Sequence, residues 1–296
     1  MKDKDKWKID AASENETNEP LSEENTGKIS GQLSSVEEII TEPLHKNLVM
    51  FIGPRETGKT VALMRLTYFL EKNRDTKIEP NKYYRKDEPY KVSVNAFLDD
   101  LHRPNFSPKR TGNINFLVLD VYKNSELYCQ FLEAPGEGFF DPNDPHNKTF
   151  PPYLIDIAND SSLNKVFIFF FEEGMLSNSD PIAYSKRLSS LVGMMDRGKD
   201  DVIILFNKSD RHRNLYYNNK PNTRQFKNLL YKNSRYSDFF GSLKSLGIPV
   251  KFVVFSSGVF HKVPDKDMER WTHSDDYYPE TLWRNIDRCF KSFSLW

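Results

Sequence analysis

Between an apolar run, Leu48-Val-Met-Phe-Ile52, and a stretch with Ala62, Leu66, Phe69 and Leu70 at helical spacing stands Gly53-Pro-Arg-Glu-Thr-Gly-Lys-Thr60. It matches G-x-x-x-x-G-K-[ST] without a gap, and it does so between an expected strand and an expected helix. Each residue has a physical reason. Gly53 and Gly58 let the backbone curl so that successive N–H groups turn inward at a helix N-terminus, forming an anion nest. Lys59 adds a point charge for outer phosphates, and Thr60 offers a hydroxyl to a magnesium ion. Gly53, Pro54, Arg55, Glu56, Thr57, Gly58, Lys59 and Thr60 are therefore candidate nucleotide-binding residues. Arg55 and Glu56 are bulky, and project either toward a terminal phosphate or into solvent.

The rest of the chain predicts a layered architecture. Residues 1 to about 45 are rich in Glu, Asn, Ser and Thr, and bury too little apolar surface to offset their ordering entropy, so a mobile tail is expected. Residues 73 to 110, with Pro80, Pro89, Pro104 and Pro108, read as an insertion carrying one helix near Val94–Leu101. Strands are expected at Asn115–Tyr122 and Glu126–Leu132, joined by a tight turn at Lys123-Asn124-Ser125, and again at Lys165–Phe171, Val202–Phe206 and Val250–Phe255. Helical spacing appears at Tyr184, Leu188, Leu191 and Met195, across Thr223–Leu246, and at Leu282, Ile286, Phe290 and Phe293. Strands alternating with helices predict an α/β fold, a mostly parallel sheet covered on both faces with one antiparallel hairpin strand at its edge. Ligands of such sheets sit at the carboxyl ends of the strands, where every motif here falls.

A second motif, Asn207-Lys-Ser-Asp210, directly follows the strand Val202-Ile-Ile-Leu-Phe206. A carboxylate only accepts hydrogen bonds, so Asp210 can take both the ring N–H and the exocyclic amine of guanine, a pair adenine does not offer. Asn207 is expected to tie this loop to the phosphate loop, and the alkyl stem of Lys208 to cover the base.

With these two motifs the chain resembles the P-loop GTPases of the translation-factor and small-GTPase (TRAFAC-like) class. The resemblance covers residues 47 to 296 and implies the three-layer P-loop NTPase fold, with GTP or GDP and Mg²⁺ as ligands. Glu133-Ala-Pro-Gly136-Glu137 stands where the class has D-x-x-G, which makes Glu133 a metal candidate and Gly136 the γ-phosphate sensor. Ser256 and Ser257 with Gly258 resemble the loop that meets guanine O6, and Thr111 stands near the switch threonine that closes over magnesium. The ending Leu132-Glu-Ala-Pro-Gly-Glu-Gly-Phe-Phe140 also looks like the bacterial double-GTPase families.

The departures from that pattern matter. Glu133 replaces the usual Asp, and Glu137 stands where many members orient the attacking water with a glutamine. Phosphoryl transfer depends on positioning and charge stabilisation, so Glu137, with Lys59 and Gly136, forms a catalytic set expected to hydrolyse GTP slowly or with a partner's help. Arg55 is a candidate for a positive charge supplied in cis. The competing readings are a non-hydrolysing GTP-binding module, and an ATPase whose metal carboxylate is Asp120, at the end of Phe116-Leu-Val-Leu-Asp120. The hairpin that follows favours Asp120 as an exposed residue on an edge strand.

Two segments point to partners. Residues 136–153, with Phe139, Phe140, Phe150 and Tyr153, read either as a protein-effector switch or as core. Residues 211–237 hold seven Lys or Arg, four Tyr and no acid. They form either an anionic-partner surface or a solvated face. With 42 basic residues against 42 acidic ones, the chain lacks the overall basic excess expected of a protein living on nucleic acid, although local patches survive that averaging. The longest apolar run, Val166–Phe171, is far below the roughly 20 residues of a spanning helix. Lacking a secretory signal and with only Cys129 and Cys289, the chain is expected to be cytoplasmic, with no membrane partner.

Overall fold

The computed structural model describes residues 44–54, 56–72, 75–81, 88–106, 117–133, 136–140, 150–172, 181–264 and 269–293, without the side chains of 88–90, 93, 137, 138 and 181. A seven-stranded sheet runs in the order β2-β3-β4-β1-β5-β6-β9. Its strands are β1 (Asn47–Ile52), β2 (Thr76–Pro80), β3 (Leu117–Lys123), β4 (Glu126–Glu133), β5 (Asn164–Phe171), β6 (Asp200–Phe206) and β9 (Val250–Val254). β4, β1, β5, β6 and β9 are mutually parallel. Their near-continuous apolar sequences follow from burial on both faces.

Alternation along each strand divides the core into two layers. Leu48, Met50 and Ile52 of β1 and Phe167, Phe169 and Phe171 of β5 face one side. There they meet α4 (Pro152–Asn159), α5 (Pro181–Val192), α6 (Thr223–Tyr231) and α7 (Ser237–Leu246). Val49 and Phe51 of β1 and Val166, Ile168 and Phe170 of β5 face the other. That layer is closed by α1 (Lys59–Lys72), α2 (Glu88–Leu101) and α8 (Tyr277–Phe293), whose Leu282, Ile286 and Phe290 recur at core spacing. α3 (Gly136–Phe139) is a single turn after β4. The chain leaves β1 toward β4 and leaves β5 toward β6. The sheet's switch point therefore lies between β1 and β5, where such folds open a crevice.

The hairpin between β3 and β4 is the expected tight one: Asn124 and Ser125 have φ of 53° and 67°, the two left-handed positions of a type I′ turn. The single counter-running strand is β3, but it is not at the edge. β2, inside the stretch read as an insertion, pairs antiparallel with β3 from Thr76↔Lys123 to Pro80↔Leu119 and takes the edge itself. Two small hairpins were also not anticipated, β7 (Tyr216–Tyr217) with β8 (Lys220–Pro221) and β10 (Gly258–Lys262) with β11 (Glu269–His273). The tail up to residue 43 lies outside the described residues.

Candidate functional site

The loop between β1 and α1 is shaped by close contacts. A Cβ at Gly53 would stand 2.8 Å from that of Phe170 on β5, and one at Gly58 would stand 2.7 Å from Asn207 Nδ2. Gly58 also has φ +82°, a conformation only glycine adopts freely. Thr57 donates through Oγ1 to Pro54 O at 2.9 Å. The Lys59 ammonium is buried and folds back over the loop, donating to Gly53 O at 2.9 Å and Pro54 O at 3.0 Å.

Glu133, the last residue of β4, reaches the start of α1. Its Oε1 accepts from Thr60 Oγ1 at 2.5 Å. Its Oε2 is buried and has no hydrogen-bond partner among the described residues. Burial raises this carboxyl above the usual range, against the pull of Lys59 and the Thr60 hydrogen bond. That oxygen, beside a hydroxyl and a lysine, has the chemistry to accept a hydrogen bond or to meet a hard cation.

The loop after β6 fastens to the same place. Asn207 donates through Nδ2 to Thr57 O at 2.7 Å, while its Oδ1 has no partner among the described residues. Lys208, at φ 54°, donates to Glu56 O at 2.8 Å and forms an ion pair with Glu172. Asp210 is half-buried, and one carboxylate oxygen accepts from Ser256 Oγ at 2.6 Å. Its other oxygen has no partner among the described residues. Ser256 Oγ in turn accepts from Gly258 N at 3.3 Å. Gly258, at φ +123°, lies so close to β11 that a Cβ would meet Thr272 O at 2.1 Å. A cavity of about 370 Å³ opens here, walled in part by Asp210, Arg213, Lys220, Ser256, Gly258 and Tyr277.

Thus Gly53, Pro54, Glu56, Thr57, Gly58, Lys59, Thr60, Glu133, Asn207 and Lys208 meet at one end of the sheet, with Asp210, Ser256 and Ser257 beside them. Arg55, Thr111 and the side chain of Glu137 lie outside the described residues, as does 141–149 of the 136–153 segment. Gly136 is buried at the start of α3. The expectation of Asp120 as an exposed edge residue is corrected: it is 8 % exposed, because β2 covers β3. Its carboxylate accepts from Asn81 Nδ2 at 3.0 and 3.1 Å and from Gln130 Nε2 at 2.8 Å. It also pairs with Gln130 in mid-strand, while Glu133 ends β4, so Asp120 stands about 10 Å back along the sheet.

The aromatics of 136–153 are core. Phe139, Phe140, Phe150 and Tyr153 are all buried. Arg187 of α5 donates to Phe139 O at 2.8 Å, and its guanidinium lies 3.8 Å over the Phe150 ring.

Sequence reasoning missed Glu172, whose only signal is being the first charge after the apolar run of β5. It also missed a line of hydroxyls, Ser209 Oγ to Tyr216 OH at 3.0 Å and Tyr216 OH to Tyr278 OH at 2.8 Å, that braces the 207–210 loop against α8. Among the described residues no three His, Cys, Asp or Glu side chains cluster as a metal site, and no helix is long and apolar enough to cross a membrane.

No protein-family model and no curated protein matches this chain. Among solved structures it is similar to nucleolar GTP-binding protein 1 of Plasmodium falciparum, at 14% identity over 87% of this chain and 94% of that one, with a TM-score of 0.42. It is also similar to a chain of the signal recognition particle receptor SRb-GTP/SRX complex of Chaetomium thermophilum, at 13% identity over 75% and 94%, with a TM-score of 0.35. Likenesses of that extent carry no function across.

Proposed function

We propose that this chain binds guanine nucleotide together with Mg²⁺ and hydrolyses GTP slowly, as a switch working in the cytoplasm. The observation that carries the reading is the Asn207–Thr57 hydrogen bond of 2.7 Å, which joins the anion-nest loop to the loop holding Asp210. Inward-facing amides and Lys59 suit the phosphates. The open oxygen of Asp210 suits the N–H pair of guanine, with its other oxygen kept in place by Ser256.

The residues present fit a magnesium ion. Thr60 Oγ1 and the unpartnered Glu133 Oε2 are hard oxygen donors side by side, and Thr111 is the candidate to close over it. When bound, the ion neutralises charge on the outer phosphates. Glu133 is longer than the usual aspartate and already engaged by Thr60, which supports weak metal binding. With Glu137 in the water-orienting place, this supports slow turnover or a partner-supplied group. The burial of Phe139, Phe140, Phe150 and Tyr153 takes away the exposed rings that a protein effector would grip on 136–153, so an effector there rests on Gly136 and its place beside the outer phosphates alone.

Competition binding with GTP, GDP and ATP tests the reading. GTP and GDP should bind at least about 100-fold more tightly than ATP, because a site built to pair two N–H groups rejects a base lacking them. Asp210→Ala should erase most of that preference. Equal binding of ATP, or an unchanged preference in the variant, overturns it. Single-turnover phosphate release by wild type and Glu137→Ala then separates a slow GTPase from a module that binds without hydrolysis.

A further inference from the structure

One surface of the molecule differs in charge from the rest. Elsewhere cations and acids alternate along the chain, and several exposed cations stand beside acids, as Lys77 with Glu79, Arg284 with Glu280 and Lys291 with Asp287, each at 2.6 Å, whereas 211–237 holds seven Lys or Arg and no acid. Between residues 211 and 237 Arg211, Arg213, Lys220, Arg224, Lys227 and Lys232 are exposed, and none forms an ion pair among the described residues. Like charges left together and unneutralised repel one another unless a polyanion joins them.

The geometry aligns several of them. α6 buries Phe226 and Leu230, and Asn222 caps it by accepting from Gln225 N at 3.3 Å. At about 3.6 residues per turn, Arg224, Lys227, Tyr231 and Lys232 then fall together on the opposite, outward side. Tyr231 stacks on Phe240 of α7 at 4.0 Å and stays 44% exposed. Just before this helix the β7–β8 hairpin turns through Asn218 and Asn219, at φ 49° and 59°. This turn carries Tyr217 at its tip, 72% exposed, with Lys220 beside it.

From this surface we infer that the α6 face and the β7–β8 hairpin bind single-stranded nucleic acid. The ammonium and guanidinium groups meet the phosphates, releasing condensed counterions. The exposed Tyr217 ring supplies a stacking face for a base, and the turn's two asparagine amides reach base edges. An acidic protein segment would answer the charges and leave that ring without a planar partner.

The test uses the full chain and a labelled oligouridine of about 20 nucleotides, with Lys59→Ala run in parallel; that variant should bind as wild type does, and loss of binding there would place the probe in the 53–60 loop and overturn the inference. Binding should be measurable at about 50 mM salt and fall roughly 10- to 50-fold by about 200 mM, as for three or four phosphate contacts. The triple variant Arg224→Glu, Lys227→Glu, Lys232→Glu should bind at least about tenfold more weakly and with a flatter salt dependence. Tyr217→Ala should lose roughly five- to tenfold while keeping the wild-type salt slope. These side chains are exposed, and an unchanged melting temperature shows that the variants fold. The inference is overturned by no binding at low salt or by wild-type binding in the triple variant. It is equally overturned if polyglutamate or phosphatidylserine vesicles compete as well as unlabelled oligouridine.

Discussion

The two ends of the parallel sheet handle buried charge in opposite ways. At the amino end, Lys165 of β5 and Asp200 of β6 are fully buried and paired at 3.2 Å. Lys165 also donates to Asp160 O at 2.6 Å, and Asp200 Oδ2 accepts from Asp196 N at 2.8 Å, while Asp200 Oδ1 makes no hydrogen bond among the described residues but faces the Lys165 ammonium directly. At the carboxyl end, Lys59 and Glu133 are also buried, though less completely, and Glu133 Oε2 and Asn207 Oδ1 have neither a hydrogen bond nor an ion pair among the described residues. Buried polar atoms are rarely left so without cause. A closed set belongs to the fold alone, whereas an open set is completed from outside.

This contrast can be broken at either end, and the largest effect is expected at the closed one. Asp200→Ala strands the Lys165 ammonium in the core and should cost about 3–5 kcal/mol in denaturant unfolding. Guanine-nucleotide affinity at temperatures where the variant is folded should stay within about twofold. At the open end the pattern should invert. Lys59→Ala should weaken nucleotide binding roughly 100-fold, about 2.7 kcal/mol, and leave unfolding of the nucleotide-free chain within about 1 kcal/mol. Equal losses of stability from both variants would erase the distinction between the ends.

The smallest effect sharpens the comparison through pH. Burial raises Asp200 from 3.8 to about 6, outweighing the attraction of Lys165. Above the lower value the unfolded chain has released a proton that the fold retains, so ionising Asp200 disfavours the folded state. Wild type should therefore lose stability relative to Asp200→Asn by roughly 1–3 kcal/mol as pH rises from about 4 to about 6. A difference that stays flat across that window rejects the raised value.

Much of this frame is legible in the sequence, and the illegible parts share a cause. β1, β5 and β6 read as strands because burial on both faces requires an unbroken apolar run. The 53–60 loop reads from its own spacing, and the tie from Asn207 to it was expected from the residue types. β2, Thr-Lys-Ile-Glu-Pro, has one deeply apolar side chain in five residues and becomes a strand only by pairing with β3. Missing β2 is why Asp120 was taken as exposed. β10 and β11 lie on either side of residues 263–268, and the buried Trp271, whose indole donates to Ser257 O at 3.1 Å, gives no local sign of its partner. Glu172 belongs to no motif, and its meaning comes only from Lys208 arriving across the sheet.

The contacts of Gly58 with Asn207 and of Glu56 with Lys208 have a mechanical consequence. Two loops 150 residues apart in sequence are tied together by hydrogen bonds of the protein itself. Their separation is a preset gauge. A molecule entering here is measured along its length as by a caliper, and one of the wrong span cannot touch both jaws.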